Sequence, residues 1–273
     1  EYFDFGNYVP AYLDPDLKAK YITHEKYVAT FASAGSGYDP LTALYGLVNP
    51  LSAQLELFKQ YKQTMIGRLG SKKAQNTMDK VICLISAGTN DLILSYIGNP
   101  FSIRRLQYTQ DGYEDYLVNL MRQYIEEMHQ QGCKRIAVAG VPPIGCMPVV
   151  KLMTFTAGNS CSDTYNEAAM SMNSKIKAEL KSFRLARGVK TAYLDTYQPM
   201  WDAIQNPHKY GFNETAKGCC GTGYIEIGPS CRGLPTCSNP KEYVFWDSVH
   251  PTQALYKIMS KSLLRFFPAD FFL

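Results

Sequence analysis

An aspartate and a histidine near the carboxyl end of the sequence have the spacing of a catalytic pair. Asp247 and His250 lie three residues apart, at the start of an amphipathic stretch that predicts a closing helix over 252–266. A carboxylate can hold an imidazole in one orientation, and the imidazole can then remove a proton from a hydroxyl group. The pattern therefore predicts that His250 is a general base oriented by Asp247.

Two further turns carry polar groups that suit the same chemistry. Asn90 follows an apolar run at 81–85, and Gly35 follows a short strand predicted over 28–32. Ligands bind beyond the carboxyl ends of parallel strands, where a side-chain amide or a glycine N–H can donate to an oxyanion. Taken alone, Asn90 is better explained as a turn residue that satisfies local backbone groups. The turn containing Gly35 lacks the glycine spacing and the lysine of a phosphate-binding loop.

Apolar runs and helical periodicity alternate along the chain and predict the elements that would position these residues. Residues 1–6 resemble the end of a helix. Strands are expected at 81–85, 135–139 and 189–194, and helices at 50–69, 113–130, 161–186 and 252–266. Such alternation favours an α/β fold with a doubly wound parallel sheet. No repeat or linker divides the sequence, so residues 1–273 are predicted to form one domain.

Six of the eight cysteines fall in a Gly- and Pro-rich region that begins at Cys146, which favours a disulfide-stapled loop. Their spacing is not the paired C-x-x-C pattern of a zinc site. We expect a bridge between Cys146 and Cys161. Cys83 and Cys133 lie in or beside apolar runs and are expected to be buried thiols. Disulfides, together with a glycosylation triplet at Asn213, indicate a secreted protein whose signal peptide is not part of this chain.

Composition and charge argue against several classes of partner. The formal net charge is +4, and the basic residues are scattered, so a nucleic-acid partner is not expected. No apolar run reaches the ~18 residues of a membrane-spanning helix. We also expect no metal, no cofactor and no obligate protein partner.

Five short motifs occur in an order that resembles one family of hydrolases. They are FASAGSG at 31–37, GTND at 88–91, VPPIGC at 141–146, CCGTG at 219–223 and FWDSVHP at 245–251. Together they are similar to the plant GDSL esterase/lipase family of SGNH hydrolases. The resemblance implies a flavodoxin-like α/β fold and the hydrolysis of a small-molecule ester or lipid by a serine nucleophile.

The resemblance also implies a role for each matching residue. The aspartate of the last motif would orient His250, which would be the general base. Gly35 and Asn90 would donate to the oxyanion, together with the backbone N–H of the serine. Asp39 and Asp91 lie near these motifs and are expected to cap turns or helices.

The family's Gly-Asp-Ser motif does not occur in this sequence. In the family it follows the first strand, upstream of all five motifs, so we expect the chain to be incomplete at its amino end and to lack that strand and its serine. Ser33, Ser36, Ser86 and Ser248 lie near the motifs, but all four are expected to make local hydrogen bonds, with Ser36 the least poor alternative nucleophile. Three hypotheses remain: an esterase whose serine lies on a missing segment, a non-catalytic binding protein, and a non-functional remnant.

Overall fold

The computed structural model describes residues 9–15, 28–156, 160–187 and 189–271. The helix end expected at 1–6 lies outside these ranges. Helices and strands alternate through the described residues, and the strands form parallel sheets. The α/β fold class predicted from the sequence is confirmed.

A three-stranded parallel sheet forms the centre of the fold. Its strands stand in the order β1-β2-β3, with bounds Ile82–Ser86 (β1), Arg135–Ala139 (β2) and Lys190–Leu194 (β3). The three strands pair in register from their first residue to their last, so their carboxyl ends lie at one edge. A second parallel sheet pairs Glu214–Gly218 (β4) with Tyr243–Phe245 (β5).

Nine α-helices lie within the described ranges. In chain order they are Pro40–Gly46 (α1), Leu51–Leu69 (α2), Ser71–Met78 (α3), Ile103–Gln107 (α4), Gln110–Gln130 (α5), Pro148–Met153 (α6), Asp163–Arg187 (α7), Tyr197–Gln205 (α8) and Gln253–Leu263 (α9). The four predicted helices are confirmed as α2, α5, α7 and α9. Helix α5 begins three residues earlier than predicted because Thr109 caps it, accepting a hydrogen bond from the Gly112 N–H. None of the helices described here has the length and apolar character needed to cross a membrane.

The middle strand of the central sheet, β2, is covered on both faces. Alternate side chains of β2 point in opposite directions. Ile136 and Val138 join the larger core, which includes buried residues of α5 and α7, whereas Ala137 joins a smaller cluster with Phe271. Burial on both faces explains why β2 is continuously apolar after Arg135.

The outer edge of β1 has no strand beside it among the described residues. Leu84, in the middle of β1, has 62% of its surface exposed, although a central strand residue such as Ala137 is buried. A cavity of about 4020 Å³ runs along this edge and is also lined by residues 28–32. We call this part of the cavity, between 28–32 and β1, the strand slot.

The strand predicted over 28–32 is not formed. Its one bridge joins Thr30 to Ala11, where the Tyr12 N–H donates to the Thr30 carbonyl and the Thr30 N–H donates to the Pro10 carbonyl, both at 2.9 Å. The prediction was wrong because an extended segment becomes a strand only when a neighbour pairs with it along its length, and among the described residues this segment has such a neighbour only at Thr30.

All eight cysteines form disulfide bonds. The predicted bridge between Cys146 and Cys161 is confirmed. The prediction that Cys83 and Cys133 are free thiols was wrong, since they are bonded to each other. Cys83 lies at the start of β1 and Cys133 just before β2, and parallel pairing of the two strands brings their Cα atoms to 6.3 Å across 50 residues of sequence.

Candidate active site

The turn between β5 and α9 brings Asp247 and His250 together. The Trp246 N–H donates to the His250 carbonyl at 2.8 Å and closes the turn, and Thr252 caps the helix that follows. Inside this turn, Nδ1 of His250 lies 2.8 Å from Oδ2 of Asp247. The two side chains whose spacing predicted a catalytic pair are therefore in direct contact. We call Asp247 and His250 the dyad.

The Asp247 carboxylate is fully buried, and both of its oxygens are hydrogen-bonded. Oδ1 accepts from the N–H groups of Val249 and His250, at 2.8 and 2.7 Å. Oδ2 accepts from the Gly228 N–H at 2.8 Å, in addition to His250 Nδ1. Burial raises the pKa of Asp247, but these hydrogen bonds, led by the one from His250, outweigh burial and hold the pKa below its ordinary value. Asp247 is thus held ionised and in one orientation.

His250 has the properties that a general base requires. The hydrogen bond to Asp247 raises the pKa of His250 above its ordinary value, and burial opposes this in part. Because ionised Asp247 accepts the Nδ1 proton, Nε2 is the nitrogen left to take a proton. No described residue hydrogen-bonds to Nε2, and 48% of the side-chain surface is exposed. His250 can therefore receive a proton from a group bound in the cavity that it lines.

Gly35 and Asn90 line the same cavity as His250. Gly35 has a positive φ of 88°, a conformation that glycine adopts without strain. We call residues 33–37 the glycine turn. The Asn90 Nδ2 donates to the Ser36 carbonyl at 2.9 Å and so connects the glycine turn to the segment after β1. This bond uses one of the two amide hydrogens and leaves the other for a ligand.

Asp91, the residue after Asn90, stabilises the segment that follows the glycine turn. The Asp91 carboxylate accepts from the N–H groups of Tyr38 and Asp39, at 2.8 and 3.0 Å, and from the Thr42 hydroxyl at 2.6 Å. Burial raises the pKa of Asp91 to about 6, against the effect of these donors. A Cβ atom at Gly37 would overlap this carboxylate, so the close approach requires glycine.

Asp39 and Asp91 both have the structural roles predicted for them. Asp39 caps α1 by accepting from the Leu41 N–H at 3.0 Å, and it is fully buried. Its carboxylate also accepts from Nε and Nη2 of Arg104, at 2.7 and 2.8 Å. The Tyr113 hydroxyl adds a third side-chain donor at 3.1 Å. Sequence reasoning missed this ion pair because its partners are 65 residues apart and neither shows a local pattern.

None of the four serines considered as alternative nucleophiles hydrogen-bonds to His250 in the described part of the chain. The Ser36 hydroxyl donates to the Ser33 carbonyl at 2.8 Å and accepts from Gln54 at 3.0 Å, while the Ser33 hydroxyl accepts from the Asn49 N–H. Ser248 Oγ is buried and has no hydrogen-bond partner among the residues that the structure describes. Ser86 lies at the carboxyl end of β1 and lines the cavity. Among the described residues, none supplies a hydroxyl to Nε2.

Comparison with known proteins gives matches over most of the chain. The sequence profile described as GDSL-like Lipase/Acylhydrolase matches residues 2–263. The chain belongs to this family. GDSL esterase/lipase At5g45950 of Arabidopsis thaliana is 38% identical over 263 residues, which cover 96% of this chain and 72% of the relative. GDSL esterase/lipase APG of the same plant is 37% identical over 268 residues, covering 97% and 74%.

Membership of the GDSL family confirms the resemblance found in the sequence. It also supports, at the level of the family, hydrolysis of ester bonds in small molecules. Within the described residues, no group of three or more His, Cys, Asp or Glu side chains is arranged to hold a metal ion.

Proposed function

We propose that the protein is a GDSL-type ester hydrolase in which His250 is the general base and Asp247 orients it. The observation that carries this proposal is the 2.8 Å contact between His250 Nδ1 and Asp247 Oδ2 beside a cavity that Gly35 and Asn90 also line. The family match over 2–263 supports a single hydrolase domain across 1–273.

The proposed reaction uses each group at a defined step. A serine hydroxyl attacks the ester carbonyl while its proton moves to His250 Nε2. The Gly35 N–H and the free amide hydrogen of Asn90 donate to the oxyanion that develops on the carbonyl oxygen. Collapse of the intermediate releases the alcohol, which takes the proton from His250, and water then hydrolyses the acyl-serine by the same route.

We infer that the serine arrives on a strand that fills the strand slot. Among the described residues, β1 pairs with a strand only on its β2 side and the segment 28–32 has a bridge only at Thr30, so both sides of the slot have backbone groups available for pairing. A parallel strand beside β1 would end near Asn90, at the edge where the carboxyl ends of the strands lie. A serine just after that strand would lie in the cavity shared with His250.

This proposal predicts activity in a completed chain, which we define as the present chain preceded by a five-residue apolar strand, Gly-Asp-Ser and a flexible linker. We expect the completed chain to hydrolyse p-nitrophenyl butyrate, and we expect neither the chain alone nor a Gly-Asp-Ala version to do so. Protection of the β1 amides from hydrogen exchange reports whether the slot is filled.

Three outcomes would contradict the proposal. A filled slot without hydrolysis would favour a non-catalytic ester-binding protein. Unprotected β1 amides would exclude the slot as the strand's site. Hydrolysis by the chain alone that is lost in His250→Ala would place the nucleophile within these 273 residues, and Ser36→Ala would then be the first variant to test.

We also propose that the protein is secreted. Four disulfides use all eight cysteines, which suits an oxidising compartment. Asn213 of the triplet Asn-Glu-Thr is exposed and precedes β4. When the chain is expressed through a eukaryotic secretory pathway, we expect glycosidase treatment to increase its gel mobility. Asn213→Gln should abolish this shift and Thr215→Ser should keep it, whereas an unshifted wild-type protein would contradict glycosylation at this site.

A further inference from the structure

Residues 219–237 form a loop closed by two disulfides, and we call it the stapled loop. Cys219 is bonded to Cys237 and Cys220 to Cys231, with Cα distances of 4.9 and 5.9 Å. The start of the loop is fixed to the segment that leads into the dyad. The Cys219 N–H donates to the Phe245 carbonyl at 3.1 Å, and the Cys220 N–H donates to the Trp246 carbonyl at 2.9 Å.

A glutamate holds the middle of the stapled loop in shape. The Glu226 carboxylate accepts from the N–H and the hydroxyl of Thr222, both at 2.8 Å, and from the Gly223 N–H at 2.9 Å. These hydrogen bonds, led by the one from the Thr222 N–H, lower the pKa of Glu226 to about 2. The Glu226 carbonyl accepts from the Ser248 N–H at 2.9 Å. The same residue thus orders the loop and joins it to the turn that contains the dyad.

The stapled loop contacts the dyad at Gly228. The Gly228 N–H donates to Asp247 Oδ2 at 2.8 Å, the oxygen that also accepts from His250. Among the described residues, Gly228 is the one donor to this carboxylate that lies outside the turn 247–250. Residues 227–229 also line the cavity next to His250.

We propose that the stapled loop is a positioning element of the dyad: Gly228 fixes the orientation of the Asp247 carboxylate, and the Cys220–Cys231 disulfide and Glu226 fix Gly228. Without the Gly228 donor, Oδ2 of a buried carboxylate would keep His250 as its only partner, and the side chain would lose the contact that opposes its rotation. The positioning role of the stapled loop is inferred from these contacts alone. Its consequence for the reaction rate rests on the proposed esterase function.

The titratable groups near Asp247 determine which group can be used to detect a change in the orientation of its carboxylate. Apart from His250, Tyr256 on α9 interacts electrostatically with the carboxylate. Burial raises the pKa of Tyr256, and the Asp247 charge raises it further. Glu226 contacts this site through its backbone, since its carboxylate is directed to Thr222 and Gly223. The pKa of His250 is set chiefly by its hydrogen bond to Asp247, so its imidazole is the suitable probe.

The test compares two double variants by NMR of the His250 imidazole, assigned with His250→Ala. Cys220→Ser with Cys231→Ser releases the stapled loop. Cys83→Ser with Cys133→Ser removes a disulfide at the opposite end of the sheet and is the matched control. In the first variant, we expect loss of the strongly deshielded Nδ1 proton signal and a fall in the His250 pKa towards the ordinary value of a histidine. In the control, both should stay as in the wild type.

A second variant covers the case in which the double variant does not fold. Glu226→Ala keeps all four disulfides and should produce the same loss of the Nδ1 proton signal. An unchanged signal and an unchanged His250 pKa in either folded loop variant would overturn the proposal. In the completed chain, release of the loop should lower kcat by about 100-fold. If the NMR changes occur but no form of the chain hydrolyses esters, the positioning role stands and the proposed function fails.

Discussion

Replacing His250 with alanine in the completed chain is expected to lower kcat/KM for p-nitrophenyl butyrate by roughly 10⁴-fold or more. The reason is that, in the proposed mechanism, Nε2 accepts the proton of the serine, and the oxyanion donors proposed at Gly35 and Asn90 cannot replace that proton acceptor. His208→Ala is the matched control because His208 is an exposed histidine on a separate 3₁₀ turn. Its rate should equal that of the parent protein.

The pH dependence of the same reaction gives an independent check on the dyad. A general base works in its unprotonated form, so the rate should fall as the pH drops through the pKa of His250. Since Asp247 raises that pKa above its ordinary value, Asp247→Asn should move the acid limb of the profile to lower pH while also reducing the maximal rate. An acid limb at the same pH in Asp247→Asn, or a His250→Ala enzyme as fast as the His208→Ala control, would show that this pair does not act as the base.

Removal of the guanidinium at Arg104 is expected to destabilise the fold by about 3–5 kcal/mol. Asp39 is fully buried and Arg104 is 18% exposed, so Arg104→Ala would leave a buried carboxylate without its counter-ion. The Leu41 N–H and the Tyr113 hydroxyl would remain as donors but carry no charge. The free energy of unfolding, from urea denaturation, measures the loss.

The next residue along α4 supplies the control for this prediction. Arg105 is exposed, and Arg105→Ala should change the free energy of unfolding by no more than about 0.5 kcal/mol. Equal effects of the two substitutions would mean that the contact with Asp39 contributes nothing beyond an ordinary surface arginine. Because Asp39 also caps α1 next to the glycine turn, Arg104→Ala should reduce activity in the completed chain as well.

The elements of the fold that could be predicted are those whose evidence is local in the sequence. Apolar periodicity is a property of neighbouring residues, so α2, α7 and the three central strands were predicted within about three residues at each end. The dyad could be predicted for the same reason, because Asp247 and His250 are close in sequence. The bridge between Cys146 and Cys161 also spans only a short separation.

What could not be predicted depends on contacts between distant segments. The Cys83–Cys133 disulfide follows from the register of two parallel strands, which neither cysteine reveals by its own surroundings. The Gly228 donor to Asp247 is a backbone group, so no side-chain pattern could point to it. The sequence shows only that Gly228 lies inside a cysteine-rich segment. Its role follows only from the structure, in which that loop lies beside the dyad.

The exposed edge of β1 makes the stability of this chain a function of its surroundings. Any strand that binds the strand slot binds the folded state alone, so it raises the free energy of unfolding by RT ln(1 + [strand]/Kd). At a strand concentration 100 times its Kd the gain is about 2.7 kcal/mol, a substantial share of a typical domain's total. Other apolar strands can compete for the same edge, including those of other copies of this chain. Folding and assembly are therefore coupled through one set of backbone groups around Leu84, and the proposed mechanism adds the supply of the serine to that coupling.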